Sequence, residues 1–472
     1  MITEDQSDVV AYLSAPTAHA SAAVELMETH ASIVFLAGDR AWKLKRAVRY
    51  DYLDYSTADR RRAMCEAEVR VNRRTAPGLY RGVTAVTRQA DGSLAIGGEG
   101  APVDWLVEMA RFDQGAMLDR LAEAGVLPLK LMEPLAHAVA GLHHAAESCM
   151  QDGGWDKMRR VIDGNATGFA RDTGGVLDPA TCTTLTNRAR FVLDRGGLVL
   201  DRRRNDGMVR RCHGDLHLRN IVLLDGQPTL FDAIEFNEEF SSIDVLYDLA
   251  FLLMDLWRLG LPHHANLLWN SYLAETRNLD GLPVMPLFLS CRAAVLAKTT
   301  ATAANLQQDQ GRREELRVLA HDYLTRAHAM LEPPPPRLIA IGGLSGSGKS
   351  TLALDLALVR GGYTAIADAV FAKAADRAAI QHVAAAAGVP FSGLWLEAPA
   401  SLLIARVEAR GIDVSDAGAD VVRHQLVVPL DSLQWPRLDA SGTRPQVVDA
   451  ANTLVAGGHR PSTGCQAEVH HA

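Results

Sequence analysis

The sequence predicts two domains of different class, an α+β unit of two lobes and then an α/β unit on a shortened parallel sheet. Three observations carry this. The run Glu332-Pro-Pro-Pro-Pro-Arg337 is a stiff polyproline break between domains. Before it, paired apolar runs within the first 112 residues give way to long helix-forming stretches. After it, apolar runs at 338–341, 363–368 and 393–397 alternate with helix formers, the pattern of parallel strands joined by crossover helices. The expected boundaries are 1–332 for the first domain (lobes about 1–112 and 113–332), 333–337 for the linker and 338–450 for the second domain. A disordered tail is expected at 451–472, where Gly, Pro, Ser and His dominate.

In chain order, Ser32-Ile-Val-Phe-Leu and Ala41-Trp-Lys-Leu-Lys flank Ala37-Gly-Asp-Arg40 and read as a β-hairpin. Lys43 and Lys45, two apart, then share one face of its second strand. Ser56 with Asp59 three residues on resembles a capping box, and Thr57 to Arg74 is rich in helix formers. Asp104 to Phe112 reads as the last strand of the first lobe, and helices over 118–127 and 131–146 open the second. Basic and polar helices follow between Gln151 and Arg211. The most apolar stretch, Val245 to Leu261, is interrupted by Asp248, Asp255 and Arg258, which makes it a buried helix and not a membrane span. Cys291 to Leu331, free of proline, reads as two helices.

Two motifs carry chemistry. The first is H-G-D-L-H-L-R-N at His213 to Asn220, followed by L-F-D-A-I-E-F around Asp232. Asp215 stands five residues before Asn220, and Asp232 twelve beyond it. That spacing reproduces a base, a second metal ligand and a first metal ligand for phosphoryl transfer, which asks a protein for positioning and charge more than for covalent help. Asp232 is placed on a half-buried strand, with Phe231 and Ala233 on the opposite face.

These residues resemble the aminoglycoside phosphotransferase-like family, a small-molecule branch of the protein-kinase-like fold whose catalytic loop reads H-G-D-x-H-x-x-N. The resemblance implies Asp215 as catalytic base and Asn220 and Asp232 as Mg²⁺ ligands; His213 and His217 are read as bracing the loop by hydrogen bonds, with metal binding as the competing reading. It also asks for a strand lysine that reaches the ATP phosphates and a helical glutamate beside it. Lys43 is preferred over Lys45 for the first. Glu68 is preferred over Glu66 for the second, because similar chains carry E-x-x-x-N as in Glu68 to Asn72. No G-x-G-x-x-G precedes the hairpin, which favours small-molecule kinases over protein kinases.

The second motif is Gly343-Leu-Ser-Gly346-Ser347-Gly348-Lys349-Ser350, leading from a strand-like run into Thr351-Leu-Ala-Leu. Strand, glycine-rich loop and helix are the context of a P-loop: backbone N–H groups wrap phosphate, Lys349 reaches the β- and γ-phosphates, and Ser350 holds Mg²⁺. This half resembles gluconate- and shikimate-kinase-like phosphotransferases. Asp368, at the end of the next strand, is read either as a Mg²⁺-water ligand or as an acid left without its partners, and the resemblance implies Arg406 and Arg410 as lid arginines, with surface arginines as the competing reading. One departure stands out. Only 16 residues separate Thr351 from Asp368, room for one helix and one strand, so the acceptor-binding segment of those relatives is missing.

Composition excludes little and bounds much. The 472 residues are 48% hydrophobic and 22% charged, ordinary for globular domains, and a net charge of −8 gives no bulk attraction to nucleic acid or anionic membrane. Six cysteines without C-x-x-C, and a polar start unlike a signal peptide, lead us to expect a cytoplasmic protein. The expected cofactors are ATP and Mg²⁺, and the expected partner is a small-molecule hydroxyl acceptor. Glu235, Glu238, Glu239 and Asp244 could form an acidic wall that receives a cationic acceptor such as an amino sugar. A solvated loop with Asp244 capping the next helix is the competing reading. At the level of function, an ATP-dependent kinase stands against a regulatory nucleotide sensor that binds ATP without turnover.

Overall fold

The computed structural model describes residues 2–50, 53–172, 174–333, 335–345, 365–386, 388–409 and 419–457. Its contacts divide the chain into two compact units, Met1–Glu332 and Pro333–Ala472.

The first unit opens with helix α1 (Ser7–Ser14) and strands β1 (Val24–Glu28), β2 (Ser32–Ala37) and β3 (Arg40–Lys45). Gly38, at φ +58°, supplies the positive φ that the two-residue turn between β2 and β3 requires. Helix α2 (Ala58–Asn72) and strands β4 (Tyr80–Arg88), β5 (Leu94–Ile96) and β6 (Ala101–Ala110) complete an antiparallel sheet in the order β1-β2-β3-β6-β4-β5. Alternation sorts the side chains of β2 and β3 onto two faces. Ile33, Phe35, Trp42 and Leu44 pack with Val9 and Leu13 of α1, whereas Leu36 and Ala41 pack with Cys65 and Val69 of α2. Lys43 and Lys45 are therefore carried on the α2 side. The cap of α2 is Thr57, whose side chain accepts the Arg60 N–H, so the expected start at Ser56 moves by one residue.

Two fixtures seal this lobe. Arg61 is fully buried and grips Asp104 with two nitrogens at 2.8 and 3.0 Å. Gln6 donates to Asp104 (2.7 Å) and to the Lys45 carbonyl (3.0 Å), while its own oxygen accepts the Ala47 N–H.

The second lobe contains α3 (Leu118–Glu123), α4 (Met132–Ala145), α5 (Gly154–Asp172) and α6 (Pro179–Asn205). After β7 (Val209–Arg211) and the H-G-D loop comes the hairpin β8 (Ile221–Leu224) and β9 (Gln227–Leu230), then β10 (Ser242–Asp244), which pairs with β7. Helix α7 (Val245–Arg258) is buried from Val245 to Leu256, as its composition requires. Around it lie α8 (Pro262–Thr276), α9 (Met285–Leu306) and α10 (Gln310–Met330). By length and composition α9 could cross a membrane, but two thirds of that apolar window is buried inside the unit.

The second unit has four parallel strands, β11 (Leu338–Gly343), β12 (Ala365–Asp368), β13 (Phe391–Glu397) and β14 (Arg437–Asp439), in the order β12-β11-β13-β14. Every residue of β11 is buried, as expected of a parallel strand covered on both faces. Helices α11 (Ala374–Ala386), α12 (Ala400–Glu408), α13 (Ala419–Val427) and α14 (Arg444–Gly457) complete it. The expected tail from 451 is corrected here. Ala451 and Val455, one helical turn apart, are buried against Ile339, Leu394 and Leu438, so the helix continues to Gly457. The chain is thus an α+β domain of two lobes followed by an α/β domain on a short parallel sheet.

Candidate active site

The two lysines of β3 converge on one carboxylate. Lys43 Nζ lies 2.8 Å from Glu68 Oε1, and Lys45 Nζ lies 2.6 Å from Glu68 Oε2. Glu68 is fully buried and Lys45 nearly so. Burial alone would raise the Glu68 carboxyl, but the two ammonium groups outweigh it and hold its pKa down to about 2. Each lysine has a second partner beyond β9: Lys43 reaches Asp232 Oδ1 at 2.6 Å, and Lys45 reaches Glu235 Oε1 at 2.5 Å, beside the Tyr55 hydroxyl. Burial works to lower both lysines, and the facing carboxylates leave them well above their ordinary value. The preference for Glu68 over Glu66 accords with this geometry, since Glu66 is exposed and pairs with Arg62 along the helix.

Asp232 departs from the expected strand. β9 ends at Leu230, and Asp232 sits at φ +60°, a left-handed conformation uncommon for a side-chain-bearing residue. The Tyr80 hydroxyl accepts its N–H at 3.1 Å, and Asn72 Oδ1 accepts the N–H of Ala233 at 2.8 Å. The outward turn leaves the Asp232 side chain 41% exposed while Phe231 and Ala233 are buried.

The H-G-D loop is held from below by α7. Asp248 is completely buried and accepts the N–H groups of His213 (3.1 Å) and Gly214 (2.9 Å), and it also bonds His143 Nε2 at 3.1 Å. Gly214 adopts φ +82° in this turn, where an added Cβ would sit 3.1 Å from the Phe240 carbonyl. Asp255, two turns along α7, accepts the Leu218 N–H at 3.0 Å. His213 Nε2 bonds the Phe231 carbonyl at 2.9 Å and thereby ties the loop to the Asp232 segment.

Asp215 is surrounded by donors: His217 Nε2 at 3.2 Å, Arg219 Nη2 at 3.2 Å and Asn220 Nδ2 at 3.0 Å. Burial would raise its pKa, and His217 and Arg219 hold it far below the usual carboxylate range, so it is ionised at neutral pH. The structure thus brings Lys43, Glu68, Asp232, Asp215 and Asn220 into one connected arrangement.

Three of the four acids of the expected wall are committed to other partners, and Glu239 is exposed. Glu235 is spent on Lys45 and Tyr55, and Glu238 pairs with Arg211 at 2.7 Å. Asp244 caps α7 and grips the buried Arg203 at 2.8 Å through both oxygens. Sequence reading also missed Asp248 and Asp255 as loop anchors, treating them as interruptions of an apolar run. Their seven-residue spacing, which puts both on one helical face, was the available signal.

In the second unit, Gly346, Ser347, Gly348, Lys349, Ser350, Thr351 and Arg410 lie outside the described residues. Gly343 ends β11, and Asp368 ends the adjacent β12 in register with Ile341. Strand β13 runs on the other side of β11, so the start of the glycine-rich stretch leaves the carboxyl edge of the sheet between two neighbours. There Ser345 N–H donates to Gln425 of α13 at 2.8 Å, beside a cavity of about 1070 Å³ lined by Leu344, Trp395, Glu397, Gln425 and Asp439. Open α/β sheets bind ligands at this edge. Arg406 donates to the Ala440 carbonyl at 2.9 Å, a bond that ties α12 to the end of β14.

Residues 354–434 match the family model of an AAA domain. An uncharacterized protein of Mycobacterium tuberculosis and one of Mycobacterium bovis are each 27% identical over 378 residues, covering 79% of this chain and 72% of theirs. A choline/ethanolamine kinase family protein from Mesorhizobium loti aligns over 69% of this chain and 95% of its own at 15% identity, with a TM-score of 0.41. Aminoglycoside phosphotransferase APH(4)-Ia, solved with AMP-PNP and hygromycin B, aligns over 70% and 98% at 15% identity, also with a TM-score of 0.41. The chain resembles an aminoglycoside phosphotransferase-like domain joined to a P-loop kinase-like domain. The AAA match contains Asp368, Arg406 and Arg410 and begins just after Thr351.

Proposed function

We propose that the first unit transfers the γ-phosphoryl group of ATP to a hydroxyl of a small molecule, and that the second unit binds a further ATP. The observation that carries this reading is the bridge from Glu68 through Lys43 to Asp232, opposite an ionised Asp215 held by Asn220.

The donor set suits Mg²⁺, a hard cation that takes oxygen ligands. Asp232 presents an exposed carboxylate, and Asn220 donates through its amide nitrogen, which leaves Oδ1 as the candidate ligand. The metal, when bound, neutralises charge on the phosphates. Lys43, oriented by Glu68, meets the α- and β-phosphates. Asp215 orients the acceptor hydroxyl for in-line attack and receives its proton, and Arg219 and His217 keep that carboxylate in place.

In the second unit, Gly343, Gly346 and Gly348 with Ser347 and Thr351 supply backbone and hydroxyl contacts to phosphate. Lys349 adds charge, and Ser350 and Asp368 hold Mg²⁺. The short span between Thr351 and Asp368 favours binding without transfer there, and Arg406 is already engaged by Ala440. We place the protein in the cytoplasm on its cysteine pattern.

The test is ATP consumption against a library of small alcohols. Asp215→Asn should lose roughly 10²–10⁴-fold in turnover while binding ATP as before, since the residue meets the acceptor and not the nucleotide. Wild-type turnover by that variant sinks the assignment.

A further inference from the structure

Five lysine or arginine side chains of the first unit are buried among the described residues, namely Lys45, Arg61, Lys157, Arg203 and Arg292. Three have carboxylate partners: Lys45 with Glu68 and Glu235, Arg61 with Asp104, and Arg203 with Asp244. The other two do not. Arg292 of α9 is 7% exposed, donates from Nε to the Tyr247 carbonyl at 3.1 Å, and leaves Nη2 buried without any acceptor. Lys157, in the first turn of α5, is 8% exposed and donates to a backbone carbonyl, that of Glu239.

These two cations lie beside the catalytic loop. The Arg292 guanidinium sits 3.5 Å from the centre of the Tyr247 ring and 3.3 Å from that of Phe251. Phe251 in turn packs on His217 at 4.7 Å, and His217 bonds Asp215. Lys157 and Tyr247 line one small cavity of about 10 Å³ together with Gly153 and Gly154. Burial holds both basic groups below their ordinary pKa values; for Lys157 the nearby Glu239 carboxylate acts against this, and the charges of Arg160 and Arg292 act with it. The aromatic faces offset part of the cost of burying a guanidinium, but they satisfy no N–H donor. The carboxylates near Arg292 are committed elsewhere, Asp248 to His143 and the loop backbone, Asp215 to His217, Arg219 and Asn220, while Lys157 has Glu239 nearby without an ion-pair contact. Of the acids expected to receive a cationic acceptor, Glu235, Glu238 and Asp244 are paired with cations, whereas the Arg292 guanidinium has no carboxylate in ion-pair contact among the described residues.

We propose that the acceptor is anionic, a small hydroxy compound whose carboxylate or phosphate ester is bound by Arg292 and Lys157 while its hydroxyl meets Asp215. This rests on the kinase reading of the first unit and narrows it. Leaving a charge-assisted donor unpaired in the free protein, to be paired by substrate, is a standard source of selectivity: a ligand that lacks the partner group leaves the donor buried and unmet.

The experiment uses the full chain. ATP consumption is measured with matched panels of neutral polyols, amino sugars, hydroxy acids such as gluconate and glycerate, and sugar phosphates. Anionic acceptors should be turned over at least tenfold more efficiently, and the last two panels separate carboxylate from phosphate. Arg292→Met should raise KM for the anionic acceptor at least tenfold and leave KM for Mg-ATP unchanged. Lys157→Met carries the same arm should the first variant fail to fold. In parallel, melting is followed with Mg-AMP-PNP plus gluconate, glycerate or inorganic phosphate, against chloride at matched ionic strength. A rise in Tm in the wild type that Lys157→Met removes supports the site. A preference for neutral or cationic acceptors, or no anion-specific rise in Tm, overturns it. If Asp215→Asn keeps full turnover, the kinase reading fails while the melting result still decides the anion site.

Discussion

On the proposed reading, the two units meet phosphate with different materials. In the first, side chains from β3, α2 and the segment after β9 meet: Lys43, Glu68 and Asp232 are mutually bonded, and Asn72 and Tyr80 hold the backbone that presents Asp232. In the second, the sequence assigns the work to a glycine-rich loop whose backbone N–H groups are the ligands, and the described flanks hold Gly343 and Asp368 at the ends of adjacent parallel strands. A site made of converging charges depends on residues far apart in the chain. A site made of backbone depends on one local stretch and its strand. The first should be fragile to single side-chain changes in stability as well as in function, and the second should lose binding with little loss of fold.

The largest effect expected from that contrast is on stoichiometry. Wild-type protein should bind two ATP by calorimetry, and Lys349→Ala should abolish one event while the melting temperature stays near its original value. A large fall in melting temperature would put Lys349 in the scaffold and erase the contrast. Next in size is Glu68→Ala, which removes the shared partner of half-buried Lys43 and buried Lys45 and should cost about 3–5 kcal/mol in chemical denaturation of the first unit. A loss under 1 kcal/mol would mean that Asp232 and Glu235 suffice to hold them.

Acid should discriminate the units as well. The Glu68 pKa is depressed from an ordinary 4.5 to about 2, so its contribution is complete above 4.5 and is lost as pH falls toward 2. The first unit should therefore lose stability across that window, and Glu68→Gln should flatten that part of the profile. An unchanged slope would assign the acid lability to other carboxylates. The smallest expected effect is local: Thr57→Ala removes the cap of α2 and should cost about 1 kcal/mol. Ser56→Ala at the neighbouring position should cost less, and the reverse ranking would restore the start expected from sequence.

Much of the first site was legible because its parts are local patterns. The hairpin declares Lys43 and Lys45 through alternation, and the loop declares Asp215 and Asn220 through spacing. What could not be read was pairing across distance. Glu235 belongs to Lys45, 190 residues earlier, and Asp244 to Arg203, 41 residues earlier. No pattern near either acid shows that it is already neutralised, so both looked available to a ligand. The left-handed turn at Asp232 was hidden for a related reason: it is imposed by bonds from Asn72 and Tyr80, while the local sequence reads as a continuing strand. The helix past residue 450 was missed because composition was weighed over period, although Val447, Val448, Ala451 and Val455 already mark one helical face.

Gln6 has a consequence for how the molecule comes into being. It bonds the carbonyl of Lys45 and the carboxylate of Asp104, 98 residues ahead of it. β3 itself takes its second neighbour from β6, so the strand that carries both lysines stays an open edge until the chain has been synthesised past residue 110. Long-range closures of this kind slow folding, and an unpaired strand edge invites the wrong partner in the interval. The lobe should therefore form in one late cooperative step on the ribosome, with the nascent hairpin and its two lysines waiting for β6 to arrive.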